Sequence, residues 1–376
     1  MQRQTQLTDW LSSLYPGQPF TLAPASADAS FRRYFRVTFN HQDERDGRAS
    51  RREQLEMQGA AQRATTYTGL VGEERACTQR SSSSAQQAGT LIVMDAPPQH
   101  EDCKPFLHVG KLFEQAGTHV PHVYAQDLSQ GFLLLDDLGN TTYLQALNRG
   151  NARELYGQAL DALIKIQLAS KPNELPPYDE ALLRRELNLF PEWHIGKHLG
   201  VTLTEKQQSK LEQVFERILA NNLAQPCVYV HRDYHSRNLM FVPDNNPGIL
   251  DFQDAVYGPI TYDLASLFKD AYIRWEEEEI IDWLIHYWEK ARKAGLPVRE
   301  DFGEFYRDYE MMGVQRHIKV LGIFARLYHR DGKEGYLKDM PLVMEYLHKA
   351  CERYMDLKPL LNILLELNAQ AESTQW

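Results

Sequence analysis

The sequence predicts an α+β protein of two lobes: a small β-rich lobe over residues 1–134, a hinge at 135–139, and a larger, mainly helical lobe over 140–376. Three observations carry this expectation. Runs rich in aromatic and β-branched residues, 31–39 and 90–94, mark strands early in the chain. The apolar run Gly131-Phe132-Leu133-Leu134-Leu135 ends in Asp136-Asp137-Leu138-Gly139, a buried strand opening into a hinge. From Thr141 onward helical spacing dominates, over 143–147, 154–168, 180–190 and 205–219, and again from Tyr262 to the end.

At the start of the chain, Leu7, Trp10, Leu11 and Leu14 recur at helical spacing, and Pro16-Gly17 stops the helix. Residues 41–89 then interrupt the strand pattern. They contain no Phe, Trp, Ile or Lys, carry seven Arg against seven Asp plus Glu, and include Ser81-Ser82-Ser83-Ser84. So few apolar side chains cannot offset the entropy of ordering, so a disordered or loosely helical insertion in a strand-to-strand loop is expected there, ahead of a regulatory element. Such an insertion costs little, because loop closure grows slowly with length. A helix-like stretch at 105–115, a turn at Gly117 and the segment 120–128 lead on to the hinge. Further along, Glu276-Glu277-Glu278-Glu279 precedes Ile280, Ile281, Trp283 and Leu284, and reads as the solvated face of a helix.

An apolar fraction of 43% and a charged fraction of 24% are those of a globular chain with room for two cores. The net charge of −10 argues against a nucleic-acid-binding surface. No apolar run reaches the ~18 residues of a membrane-spanning helix. The N-terminus lacks a signal-like apolar core and reads as a plain start. Four cysteines (Cys77, Cys103, Cys227, Cys351) are scattered without metal-ligand spacing, which fits a reducing, cytoplasmic setting. Nothing in the sequence calls for an obligate protein partner.

The chemistry is concentrated in Val228-Tyr229-Val230-His231-Arg232-Asp233-Tyr234-His235-Ser236-Arg237-Asn238 and Gly248-Ile249-Leu250-Asp251-Phe252. An apolar strand runs into His-x-Asp, and Asn238 follows on the same loop. Two further apolar runs, 238–242 and 247–250, are joined by Pro243-Asp244-Asn245-Asn246, which is good hairpin chemistry. That hairpin returns the end of its second strand to the start of its first, so Asn238 and Asp251 should meet. One carboxylate and one amide oxygen, completed by nucleotide phosphates and water, suit Mg²⁺. Asp233 could then orient an acceptor hydroxyl and take its proton as a phosphoryl group is transferred. Loop Asp and Asn residues often serve only as caps; here the order Asp, Asn, hairpin, Asp favours phosphoryl transfer.

These residues, with Asp251-Phe252-Gln253-Asp254 and Tyr262-Asp263-Leu264-Ala265, resemble the aminoglycoside phosphotransferase-like branch of the protein-kinase-like fold. The resemblance implies that Asp233 is the catalytic base, that Asn238 and Asp251 hold Mg²⁺, and that Asp263 braces the catalytic loop. The likeness extends through Ser26-Ala27-Asp28-Ala29-Ser30-Phe31-Arg32-Arg33, Val93-Met94-Asp95-Ala96-Pro97-Pro98 and the hinge. It continues through Arg185-Glu186-Leu187, Phe190-Pro191-Glu192-Trp193 and Gln315-Arg316-His317-Ile318-Lys319. Outside 41–89, nearly the whole chain is similar to the bacterial N-acetylmuramate/N-acetylglucosamine anomeric kinases of cell-wall recycling. That family implies ATP and Mg²⁺, an amino-sugar substrate and an α-1-phosphate product. ATP would lie under 26–37, with Ser26 and Ser30 near its phosphates and its adenine at the hinge, near Asp136 and Leu138.

Two departures from the wider kinase pattern stand out. Met94 occupies the place of the usual phosphate-binding lysine, and a Ser/Ala/Asp segment replaces the glycine-rich loop. Arg32 or Arg33 could supply the missing charge; both could equally be surface strand residues. Arg232, His235, Glu186 and Trp193 are candidates for sugar contact, with Trp193 as readily a core residue. Arg316, Lys319, Arg326 and Arg330 recur at helical spacing, where a solvated face is the first expectation and a phosphate or substrate role the second. The alternatives are a kinase for an aminoglycoside, choline or homoserine, and a catalytically weak nucleotide-binding scaffold.

Overall fold

The structure, a computed structural model, describes residues 2–27, 31–39 and 89–373. The expected insertion therefore lies outside the described residues except for Gly89, as does Ser30. The chain forms two compact units, one of Met1–Cys103 with Val123–Asp137, the other of Lys104–His122 with Leu138–Trp376.

In the smaller unit, helix α1 (Gln2–Leu14) precedes strands β1 (Phe20–Ala27), β2 (Arg33–Phe39) and β3 (Thr90–Asp95). Strands β4 (Val123–Asp127) and β5 (Phe132–Asp136) complete an antiparallel sheet of order β1-β2-β3-β5-β4. Leu7 and Leu11 of α1 are fully buried against Val37, Leu91, Val93, Phe132 and Leu134, alternate residues that share one face of the sheet. Trp10 packs on Phe132 with ring centroids 5.5 Å apart. β1 was not legible in the sequence, because Pro24 and the small residues around it break the strand pattern. The pairing accommodates them with a register shift between Pro24 and Ser26.

The larger unit opens with α2 (Lys104–Gln115) and continues with α3 (Tyr143–Ala146), α4 (Ala152–Leu168), α5 (Glu180–Leu187), a π-helical segment (Phe190–His198) and α6 (Glu205–Leu223). Two short antiparallel pairs follow: β6 (Cys227–Val230) with β9 (Val256–Pro259), and β7 (Leu239–Met240) with β8 (Gly248–Ile249). The chain ends in α7 (Tyr262–Phe268), α8 (Glu277–Ala294), α9 (Phe302–Asp331), α10 (Met340–Arg353) and α11 (Lys358–Ser373). Most of the middle of α9, from Tyr309 to Gly322, is buried, so this helix is an axis of the unit rather than a surface helix. Gly322 permits its close packing: an added Cβ would stand 2.5 Å from the carbonyl carbon of Leu189.

Two sequence expectations change. The division does not fall once at 135–139, because α2 belongs to the larger unit although two strands of the smaller unit follow it. Its Phe106 and Phe113 rings lie 4.8 Å and 6.0 Å from that of Phe252, and Phe113 lies 6.2 Å from His231. The acidic run is not merely a solvated face either. Glu276 and Glu279 form the capping box that starts α8, where the helix dipole favours acids, and Glu277 pairs with Arg353.

Phe113→Ala is expected to destabilise the larger unit by about 3–5 kcal/mol, the usual cost of emptying a fully buried aromatic site. Urea unfolding should show the loss in that unit's transition. A loss in the smaller unit's transition alone would contradict the assignment of α2.

Candidate active site

β6 delivers the chain into the loop 231–238, and buried carboxylates hold that loop. Asp263, at the start of α7, accepts from the backbone N–H of His231 at 2.7 Å and of Arg232 at 3.0 Å. Burial pushes its carboxyl up to about 7, although those two donors pull the other way. Asp270 accepts from both the N–H and the hydroxyl of Ser236, at 3.0 Å and 2.5 Å. The Tyr234 hydroxyl donates to the Ala159 carbonyl of α4 at 2.8 Å. Fixed at these points, the backbone tolerates a left-handed conformation at Arg232, with φ of 76°.

His231 ties the loop to the hairpin that follows. Its Nδ1 accepts from the Asp233 N–H at 3.2 Å, which leaves Nε2–H to donate to the Leu250 carbonyl at 2.9 Å. Burial pushes this imidazole down to about 4, so it is neutral at pH 7 and keeps that tautomer. β7 and β8 pair Leu239 with Ile249 and Met240 with Gly248, which brings Asn238 and Asp251 together as the hairpin reading requires. The Asn238 amide donates to the Asp233 carbonyl at 3.0 Å and to Asp251 Oδ2 at 3.3 Å. Gln253 donates to Asp251 Oδ1 at 2.8 Å. Asp251 also adopts a left-handed backbone, φ 62°, and its side chain is exposed. A carboxylate and an amide oxygen, both hard donors, the first on an exposed residue and the second on a half-buried one, fit a magnesium ion that keeps phosphate and water ligands.

The charges around Asp233 decide its state. Loss of water around it raises its pKa, but Lys319, His235, Arg316 and Arg232 outweigh that and hold it at about 2. Behind the loop, Glu186 of α5 is buried and takes three donors. Arg232 Nη2 donates to its Oε1 at 2.5 Å, Lys319 Nζ lies 3.1 Å from the same oxygen, and the Tyr178 hydroxyl donates to Oε2. Lys319 also donates to the Tyr262 hydroxyl at 2.9 Å. Loss of water again pushes the Glu186 carboxyl up, yet its two cations leave it below the usual value.

Of the candidates read from sequence, Asp233, Asn238, Asp251, Arg232, His235 and Glu186 lie on or against this loop. Glu186 is committed to Arg232, Lys319 and Tyr178, so its place is behind the loop. His235 is buried, with its ring 5.5 Å from that of Tyr272. Trp193 lies half-buried in the π-helical segment. Leu138 begins the larger unit and packs on β8, where an added Cβ at Gly248 would lie 2.8 Å from Leu138 Cδ1.

In the smaller unit, Ser26 is paired with Tyr34 in the β1–β2 register. Arg33 and Arg3 share the buried Asp95, at 2.5 Å and 2.7 Å, and Arg33 remains half-exposed. Arg32 pairs with Glu101 at 3.1 Å, and Asp136 accepts from the Tyr124 hydroxyl at 2.6 Å. Sequence reasoning missed Asp270 and Tyr178 altogether. For Arg316 and Lys319 it expected first a solvated helix face, whereas both are buried. The spacing singled the two out; only tertiary packing shows which face is inside.

Glu186→Gln should cost about 3–5 kcal/mol in urea unfolding, because it leaves Arg232 and Lys319 buried beside a neutral amide. A loss below about 1 kcal/mol would mean that the pairs contribute little.

Residues 81–302 match the phosphotransferase enzyme family. A relative named N-acetylmuramate/N-acetylglucosamine kinase, from Neisseria meningitidis serogroup B, is 45% identical over 376 residues, covering 99% of this chain and 98% of its own. Another of the same name, from Pseudomonas aeruginosa, is 44% identical over 381 residues, with coverage of 99% and 98%. Among solved structures, choline kinase LicA from Streptococcus pneumoniae superposes with a TM-score of 0.57 at 12% identity. It covers 93% of this chain and 100% of its own, a likeness that shows the fold alone. Given the family match and the near full-length relatives, this chain belongs to the phosphotransferase enzyme family.

Proposed function

We propose that the protein transfers the γ-phosphoryl group of ATP to the anomeric 1-hydroxyl of N-acetylmuramate and N-acetylglucosamine, giving the sugar α-1-phosphate for cell-wall recycling. The observation that carries the chemistry is an ionised Asp233 on a braced loop, with Asn238 and Asp251 brought together beside it. Full-length likeness to proteins named for both sugars supports the choice of acceptor.

Phosphoryl transfer needs positioning and charge neutralisation more than covalent help from the protein. Asp233 accepts a hydrogen bond from the sugar O1–H and aims that oxygen at the γ-phosphorus. As the new O–P bond forms, the bond from the γ-phosphorus to the bridging oxygen of ADP breaks. The O1 proton then passes to Asp233. A carboxylate held at about 2 is a weak base, so orientation is its main contribution and the proton moves late, once O1 has become acidic. Asn238 and Asp251 would hold Mg²⁺, which when bound neutralises charge on the phosphates. In the smaller unit, Arg33 is the candidate for the charge that a lysine usually supplies. Arg3 would still satisfy Asp95 if the half-exposed Arg33 turned toward an anion.

Asp233→Asn is expected to lower kcat by about a hundredfold to ten-thousandfold with the fold intact by circular dichroism. Phosphorus NMR of the wild-type product should show a glycosyl phosphate. Near-normal turnover by the variant would refute the role of Asp233, and a phosphate ester at another hydroxyl would refute the anomeric assignment.

A further inference from the structure

Arg316 is anomalous among the charged groups of this unit. It lies in the buried middle of α9, 4% exposed, and makes no hydrogen bond or ion pair among the described residues; its Nη1 is wholly enclosed without a partner. That nitrogen has lost water without gaining a hydrogen-bonded partner, and although the charge of Arg316 is felt at Asp233, no acceptor oxygen is seated on its fork, so an anion bound there is the natural counterpart. Lys319, three residues on and on the same helical face, has its partners already, as described above. Nearby carboxylates are committed too: Glu186 to Arg232, Lys319 and Tyr178, Asp263 to two loop amides, and Asp270 to Ser236 and the Tyr272 N–H.

The charge of Arg316 acts on Asp233, His235, Asp263 and Tyr272, so the side chain faces the loop that carries the proposed base. A second unsatisfied nitrogen belongs to the same surroundings. His235 is 8% exposed, and its Nδ1 is enclosed without a partner. Two buried nitrogens near Asp233 thus lack partners, and the guanidinium, which can only donate, calls for a ligand that carries acceptor oxygens.

The two sugars of the proposed function differ in one respect that matters here. N-acetylmuramate carries a lactyl ether at O3 that ends in a carboxylate, whereas N-acetylglucosamine has a neutral hydroxyl there. We propose that Arg316 is the receptor for the lactyl carboxylate of N-acetylmuramate, forming a subsite that N-acetylglucosamine leaves unused. The inference rests on the sugar-kinase reading and adds to it the residue that distinguishes the two acceptors. A guanidinium is suited to the task, since its fork matches a carboxylate and it stays charged when enclosed.

The test is steady-state kinetics of the full chain on N-acetylmuramate, its lactyl carboxamide and N-acetylglucosamine, for wild type, Arg316→Met and Arg316→Lys. In Arg316→Met the ratio of kcat/KM for N-acetylmuramate over N-acetylglucosamine should fall by about tenfold to a hundredfold, the worth of a charge-assisted pair. Most of that fall should appear in KM for N-acetylmuramate. Arg316→Lys should recover part of it. Wild type should prefer the acid to the carboxamide, and Arg316→Met should lose that preference. An unchanged ratio, with kcat for both sugars falling together, would overturn the proposal and leave Arg316 acting only through the charge it places beside Asp233. If the variants do not fold, the wild-type comparison decides, and equal use of acid and carboxamide overturns the proposal. Failure of wild type to use either sugar would remove the sugar-kinase reading, and the subsite with it.

Discussion

The arrangement on which the rest of this site depends is a carboxylate kept ionised where protein has largely replaced water. Enclosure alone would raise Asp233 and leave it a neutral acid, unable to accept a hydrogen bond from a hydroxyl through both oxygens. Lys319, His235, Arg316 and Arg232 reverse that tendency. Arg232 and Lys319 could not be enclosed unopposed, and Glu186 is the opposing charge, holding both at one carboxylate oxygen. The pairs are therefore better understood as fixing the electrostatics of the loop than as a source of stability, since a buried ion pair roughly cancels its own desolvation.

Around this charge arrangement the fold supplies rigidity. The loop is secured by side chains from several places in the sequence: Asp263 from the start of α7, Asp270 beyond its end, and the neutral His231 from the loop itself. Each secures a backbone group rather than a reacting atom. The strained conformations of Arg232 and Asp251 sit where such bracing is densest, as expected of positions held by their surroundings. Asp251 is exposed and Asn238 half-buried while their backbones are fixed, a combination suited to ligands that must meet an incoming ion and its phosphates.

Much of this was legible in the sequence because it is local. His231, Asp233, Asn238 and the turn residues 243–246 lie close together in the chain, and hairpin geometry alone brings Asp251 to Asn238. The β3 and β5 strands and helix α1 follow from period and stop signals. What escaped was set by tertiary packing. Pro24 and its small neighbours concealed β1, and nothing local shows that Phe106 and Phe113 pack on Phe252. Arg316 and Lys319 look like a wet stripe on any helical projection; only the enclosure of α9 on nearly all sides makes them internal. Glu186 was marked in the sequence as a candidate for sugar contact, whereas its three donors commit it behind the loop.

The proposed chemistry depends on the ionised state of Asp233, and carboxyl carbon NMR can observe it directly. The protein would be labelled at aspartate carboxyls, the Asp233 resonance assigned by its loss in Asp233→Asn, and the signal followed from pH 8 down to pH 4. The charge arrangement described here predicts that the resonance stays in its ionised position throughout, because the carboxyl is held at about 2. A titration midpoint above about pH 5 would contradict it, since burial would then outweigh the surrounding cations and Asp233 would be an enclosed acid rather than an ionised base.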